Sequence, residues 1–245
     1  MHHFFVTDIQ ADRAVFSAEQ AQQIGRVLRL QPGEWVMVLD NAGWQYEAEL
    51  VEVGRRVTAV LRHKQPATNE PTSQLTLYQA LLKRDNFEWV LQKGTEIGVT
   101  RFVPLITART VAQPPHKADR WQRILTEAAE QSRRGRIPEL AEPLRLEDAL
   151  HEAAQTDAAL LPWEGAVNET VARVLAGKRP STIAVLIGPE GGWTEAEVAN
   201  GRTHGIIPVT LGPRILRAET AAIVSAALVM QEFMKDEDSR LKIED

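Results

Sequence analysis

Apolar and polar positions follow two regimes along this 245-residue chain. Over the first 65 residues the apolar stretches are short: Trp35-Val36-Met37-Val38-Leu39-Asp40, then Tyr46 to Val53 and Val57 to Arg62. Asn41-Ala42-Gly43-Trp44 stands between the first two, so this part reads as β-strands with a hairpin turn. Ser17 to Arg26 is predicted helical, with Ser17 as N-cap and Gln20 closing a capping box. Together these elements form the pattern of a small β-barrel. A stretch rich in Pro, Thr and Ser, Gln65 to Gln74, then breaks the apolar pattern and reads as a linker. Beyond it the strands become continuously apolar, at Leu75 to Leu81, Arg101 to Pro104, Ala158 to Leu161, Ile183 to Ile187 and Ile207 to Leu211. Helical patterns separate them over Phe87 to Gly98, Asp119 to Gln131 and Glu219 to Lys235. Strands alternating with helices predict an α/β fold with a parallel, doubly wound sheet. The expected domains are residues 1–70 and 71–245.

Two turns in the second domain carry the candidate chemistry. Gly188-Pro189-Glu190-Gly191-Gly192-Trp193 follows one apolar strand, and Gly212-Pro213-Arg214-Ile215-Leu216-Arg217-Ala218-Glu219-Thr220 follows another. Thr194-Glu195-Ala196-Glu197 after the first is a capping box, so strand, glycine loop and helix succeed one another directly. Ligands of open α/β sheets bind at the carboxyl ends of strands. Glycines there let the backbone come close to a ligand, and prolines stiffen the path. The loops lack the Lys-Ser/Thr ending of a P-loop and the G-x-G-x-x-G fingerprint, which argues against ATP, GTP and NAD.

The two turns, in this order, resemble the cofactor loops of the RsmE family of SPOUT-class RNA methyltransferases. Three further stretches match the same family. Lys93-Gly94-Thr95-Glu96-Ile97-Gly98-Val99 resembles its K-x-T-E-L-G-V segment, and Glu130-Gln131-Ser132-Arg133-Arg134-Gly135-Arg136-Ile137-Pro138 its E-Q-S-x-R-x-x-x-P segment. Near the start, Phe4-Phe5-Val6 and Arg26 to Glu34 resemble the opening and the V-L-R-L-x-x-G-D turn. The resemblance departs at Gln23, where a His is expected, at His2-His3, where a basic residue is usual, and at Trp193, where Phe is usual.

The resemblance implies a PUA-like RNA-docking barrel in residues 1–70 and, in residues 71–245, a SPOUT methyltransferase domain tied into a deep trefoil knot. It implies S-adenosyl-L-methionine as cofactor, a homodimer, and methylation of N3 of a decoding-region uridine in 16S ribosomal RNA of the small subunit. The cofactor pocket it points to comprises Leu161 and Pro162, with Trp163 beside them, then Gly188, Pro189, Glu190, Gly191 and Gly192, and Leu211, Gly212, Ile215 and Leu216. Neutral uracil N3 is a poor nucleophile, and positive charge beside O2 or O4 stabilises the anion left when its proton departs. Arg217 is the first choice for that role and Arg134 the second. Glu219 or Glu190 is a candidate proton acceptor, or simply an acid placed in a helix's first turn by the helix dipole. Two alternatives stay open: a SPOUT enzyme acting on ribose 2′-oxygen or guanine N1, and a noncatalytic RNA-binding ribosome-assembly factor.

Composition narrows this reading. With no cysteine, the chain has no disulfide, no cysteine-ligated zinc or iron–sulfur cluster, and no thiolate to activate a pyrimidine carbon, so the acceptor should be a heteroatom. No metal is expected. The net charge of −5 opposes simple nucleic-acid binding, yet residues 83–136 hold eleven Lys and Arg against six Asp and Glu. That asymmetry permits a basic face on an acidic protein. Arg26, Arg29, Lys93, Arg133 and Arg136 are the candidate RNA contacts, and the order Arg133-Arg134-Gly135-Arg136 leaves open which arginine meets the target. No run approaches a spanning helix and the start has no signal-peptide pattern, so a cytoplasmic protein without membrane contact is expected.

Overall fold

The structure is a computed structural model describing residues 1–83, 85–111 and 118–241. The chain divides into two compact units, one of Met1–Glu70 with Thr126–Ile137, the other of Pro71–Leu125 with Pro138–Asp245.

The first unit holds a curled, mixed six-stranded sheet in the order β1-β4-β5-β6-β3-β2. Its strands are β1 (His3–Phe5), β2 (Asp8–Gln10), β3 (Arg13–Val15), β4 (Trp35–Leu39), β5 (Trp44–Glu52) and β6 (Thr58–Pro66). Only β1 pairs parallel, with β4. The inward positions Phe4, Val36, Val38, Ala48, Leu50 and Ala59 make one core with Ile24. Helix α1 (Ala18–Gln22) starts at the expected capping box, Ser17 and Gln20 each bonding the other's backbone N–H. The predicted continuation to Arg26 is instead a π-helical turn, Gln23–Val27, in which Leu28 N–H reaches Gln23 O at 2.9 Å. The wider turn lets Ile24 sit fully buried in the core, with Leu28 packed against it.

The end of helix α3 (Ala118–Gln131) belongs to this unit, which the linear domain expectation did not include. Ala129 and Ile137 pack with Phe5, Met37 and Leu39 on the sheet's other side. The turn after α3 is held by one acid. Glu70 receives Arg134 Nη2 at 2.8 Å and Nε at 3.3 Å, and also the N–H groups of Gly135 at 2.9 Å and Arg136 at 3.0 Å.

The second unit is α/β, and every strand pairing in it is parallel. Its sheet runs β10-β8-β7-β12-β11-β13, with β9 also paired to β8. The strands are β7 (Gln74–Ala80), β8 (Arg101–Ile106), β9 (Glu139–Leu140), β10 (Leu144–Arg145), β11 (Ala158–Pro162), β12 (Thr182–Ile187) and β13 (Ile207–Val209). Between them lie α2 (Asn86–Ile97), α4 (Leu146–Ala153), α5 (Val171–Leu175) and α6 (Glu195–Thr203); α7 (Ala218–Leu241) closes the chain. Central strands such as Ile183 to Ile187 are buried throughout, as a sheet covered on both faces requires. Helix α2 ends at Gly98, whose φ of 118° is the left-handed C-cap that glycine adopts without strain. Gly94 in the same helix leaves no room for a methyl group, since an added Cβ would lie 2.8 Å from the Phe102 ring. Among the described residues no helix is long and apolar enough to cross a membrane.

Candidate active site

Three adjacent strands of the parallel sheet, β12, β11 and β13, end side by side, and the segments leaving them border one cavity of about 550 Å3. The glycine loop 188–192 leaves β12, Pro162-Trp163-Glu164 ends β11, and Thr210 to Arg217 joins β13 to α7. Placement at strand carboxyl ends follows the rule for open parallel sheets.

The first loop is fixed from several sides. Thr194 and Glu197 form the expected capping box, starting α6 directly after Trp193. Glu190 Oε1 accepts the N–H of Lys83 at 2.9 Å, and Arg109 Nη1 donates to Gly191 O at 2.7 Å. Gly192 has φ 68° and donates its N–H to Pro189 O at 2.9 Å, a tight turn that disfavours any side chain there. Gly188 packs close to the Trp193 indole, so an added Cβ would lie 3.1 Å from the ring. In the second loop Gly212 has φ 107°, and its N–H bonds Thr210 Oγ1 at 3.2 Å. The loops therefore present main chain to the cavity, with Ile187, Leu211 and Leu216 as apolar lining and Ile215, 89% exposed, at the mouth.

Charge in the wall is mixed. Glu164, Glu190 and Glu219 line it along with Arg214 and Arg217. Glu219 is 9% exposed in the first turn of α7, while both arginines are exposed. Their guanidinium groups make no hydrogen bond or ion pair among the described residues. Such a pocket can hold a flat, partly apolar ligand carrying a cationic centre, against fixed main-chain donors and acceptors.

Of the residues expected for the cofactor, Pro162, Gly188, Pro189, Glu190, Gly191, Gly192, Leu211, Gly212, Ile215 and Leu216 lie together on this wall, with Arg217 and Glu219. Leu161 does not; it points into the core beside Leu150 and Trp193. The wall also contains Asn86, Glu164 and Thr210, which sequence reasoning missed. Asn86 begins α2 after β7, so the strand-end rule that found the glycine loops would have found it too.

The matching model is an RNA methyltransferase domain, over residues 68–230. A ribosomal RNA small subunit methyltransferase E of Synechocystis is 39% identical over 213 residues, covering 86% of this chain and 70% of that relative. The chain belongs to the ribosomal RNA small subunit methyltransferase E family. The enzyme of that name from Bacillus subtilis is 30% identical over 224 residues, covering 87% of this chain and 88% of its own. A crystal structure of the family's Neisseria gonorrhoeae member bound to S-adenosyl methionine superposes with a TM-score of 0.87 at 29% identity, over 95% of this chain and 98% of that one.

The family's other candidate residues are dispersed. Arg134 is 3% exposed and bound to Glu70 within the barrel-containing unit, and is not part of this cavity. Arg136 donates to Ala42 O at 2.7 Å in that unit, fixing the hairpin turn, and Arg133 is exposed with φ 60°. Arg26 and Arg29 are exposed there as well. Lys93, on α2, is paired with Glu96 one turn later at 2.8 Å. Of the eleven basic residues counted between 83 and 136, Arg84 and Lys117 lie outside the described residues.

Proposed function

We propose that this protein transfers a methyl group from S-adenosyl-L-methionine to N3 of a uridine in 16S ribosomal RNA. The observation that carries the reading is that both glycine loops, Arg217 and Glu219 border a single cavity at neighbouring strand ends. The residues present fit the cofactor. Ile187, Leu211 and Leu216 offer apolar faces for an adenosine, the loop main chain offers neutral donors and acceptors for its edge, and Glu164, Glu190 and Glu219 favour a positive sulfonium. When bound, the cofactor supplies an electrophilic methyl group.

The chain's own task is alignment and removal of the imide proton. Arg217, exposed and without a side-chain partner among the described residues, is the group to stabilise negative charge on a uracil carbonyl oxygen. Glu219 is the proposed proton acceptor. Arg134 is left to hold the turn after α3, because its charge is already spent on Glu70.

The two-part organisation supports an RNA-docking, PUA-like barrel serving a SPOUT-type knotted domain, with the segments after β12 and β13 as the knot region. Homodimerisation is supported by the half-buried apolar positions Ile223, Val224 and Leu228 on α7, with Ala227 exposed beside them. An enzyme working on ribosomal RNA in this way belongs in the cytoplasm. Tritium transfer from labelled cofactor to small subunits lacking the modification tests the assignment. Label at a uridine N3 is expected; label at ribose 2′-oxygen or guanine N1, or none despite cofactor binding, would replace it.

A further inference from the structure

A second cavity, of about 440 Å3, lies wholly within the barrel-containing unit. Its wall is mostly polar and draws on several elements, among them His3 of β1, Gln23 of the π-helical turn, Glu127, Glu130 and Gln131 of α3, and Arg133 of the following turn. None of these groups has a part in the methyl-transfer chemistry above.

Glu130 is the fixed point of this wall. Its Oε1 accepts the N–H of Phe5 at 2.8 Å, which holds the half-buried carboxyl group in place instead of letting it swing into water. Burial pushes its pKa up to about 7, against the pull of the Phe5 N–H and with help from the neighbouring Glu127 charge. The ionised form is therefore short of donors. Burial and the nearby Arg133 lower the pKa of His3, favouring the neutral imidazole, which offers one donor and one acceptor. The Gln23 amide and the Arg133 guanidinium, both exposed, supply further donors.

One under-bonded carboxylate that shares a cavity wall with donors complements a flat group that presents an N–H between two carbonyl oxygens. In single-stranded RNA, where bases are read by hydrogen bonds to their Watson–Crick edges, that group is uracil. We propose that this cavity is a subsite for one unstacked uracil of the bound RNA, its ring N–H donated to Glu130 and its carbonyl oxygens facing Gln23 and Arg133. The inference rests on RNA being the substrate, and is independent of which atom receives the methyl group. Phe5 and Glu130 join the sheet to α3 at this point, so the base is held by a framework that exists before RNA arrives.

The test is fluorescence anisotropy with the full-length protein and short oligoadenylates carrying one central U, C, G or N3-methyluridine. The U oligomer is expected to bind about tenfold more tightly than those with C or N3-methyluridine, the effect of one hydrogen bond to a charged group. Glu130→Gln keeps an acceptor for Phe5 N–H and removes the carboxylate, and should abolish that preference. Gln23→Ala should weaken U binding several-fold without disturbing the Glu130 contact. Equal binding of U and N3-methyluridine, an equal loss on every oligomer in Glu130→Gln, or stronger binding of G than U would overturn the proposal. Calorimetric uptake of S-adenosylmethionine by the same proteins separates the two readings: intact uptake without U preference sinks only the subsite, and absent uptake sinks only the methyltransferase assignment.

Discussion

Two arginine-bearing turns, residues 133–136 and 214–217, hold Arg134 and Arg217 in opposite ways. In the first, Glu70 meets Arg134 through two guanidinium nitrogens and two backbone N–H groups, and Arg134 is 3% exposed. In the second, no acid pairs with Arg214 or Arg217 among the described residues, and both stay exposed on a cavity wall. A guanidinium whose donors are taken holds structure; one whose donors are free can meet a ligand. What separates them is a carboxylate more than 60 residues away from its arginine in the chain.

The sharpest way to break that contrast is Glu70→Ala. It removes the carboxylate that meets buried Arg134 and takes the acceptor from two backbone N–H groups, so it should cost about 3 kcal/mol, the low end for breaking a buried pair because Glu70 is 19% exposed. Denaturant unfolding measures it; a loss under about 1 kcal/mol would return Arg134 to the list of groups available for RNA. Arg217→Ala should do the reverse, changing stability by no more than about 0.5 kcal/mol as surface substitutions do. Its turnover should fall about 100-fold, the scale of losing one electrostatic stabiliser, with cofactor affinity nearly unchanged. Single-turnover kinetics and calorimetry together check this, and unchanged turnover would remove Arg217 from the mechanism.

A smaller effect is expected from the loops that frame Arg217. Gly188→Ala puts a methyl group 3.1 Å from the Trp193 ring, and the indole or the loop must shift. Cofactor affinity should fall about tenfold, or about 1.4 kcal/mol, read by calorimetry. Gly212→Ala meets no atom within 4 Å but forces alanine to φ 107°, so its cost of about 1 kcal/mol should appear in stability as well as affinity.

The mildest prediction concerns pH in the unit that holds Arg134. Glu130 has a folded pKa of about 7 against 4.5 when free, so the folded protein holds more protons between these values. Its contribution to stability is full below pH 4.5 and is lost as pH rises to 7. Melting curves across that window should slope downward for the natural chain and flatten in Glu130→Gln.

Much of this was legible beforehand. The central strands and both capping boxes were readable because burial on both faces and Ser/Thr-x-x-Glu/Gln spacing are local signals. The glycine loops were readable because they sit directly after such strands. The fate of Arg134 was not, since it depends on Glu70, and neither was the π-helical turn, which depends on where Ile24 finds its core. Leu161 illustrates the same limit: alternation along β11 sends it inward while its neighbour Pro162 reaches the cavity.

Helix α3 changes ownership midway, its first residues counted with the parallel sheet and those from Thr126 onward with the barrel. The barrel is therefore not a transferable cassette. A fragment stopped at Glu70 would lack Ala129 and Ile137, leave Phe5, Met37 and Leu39 facing water, and deprive Glu70 itself of the arginine it was placed to receive. Grafting this module onto another enzyme would require bringing along a stave from the middle of the gene.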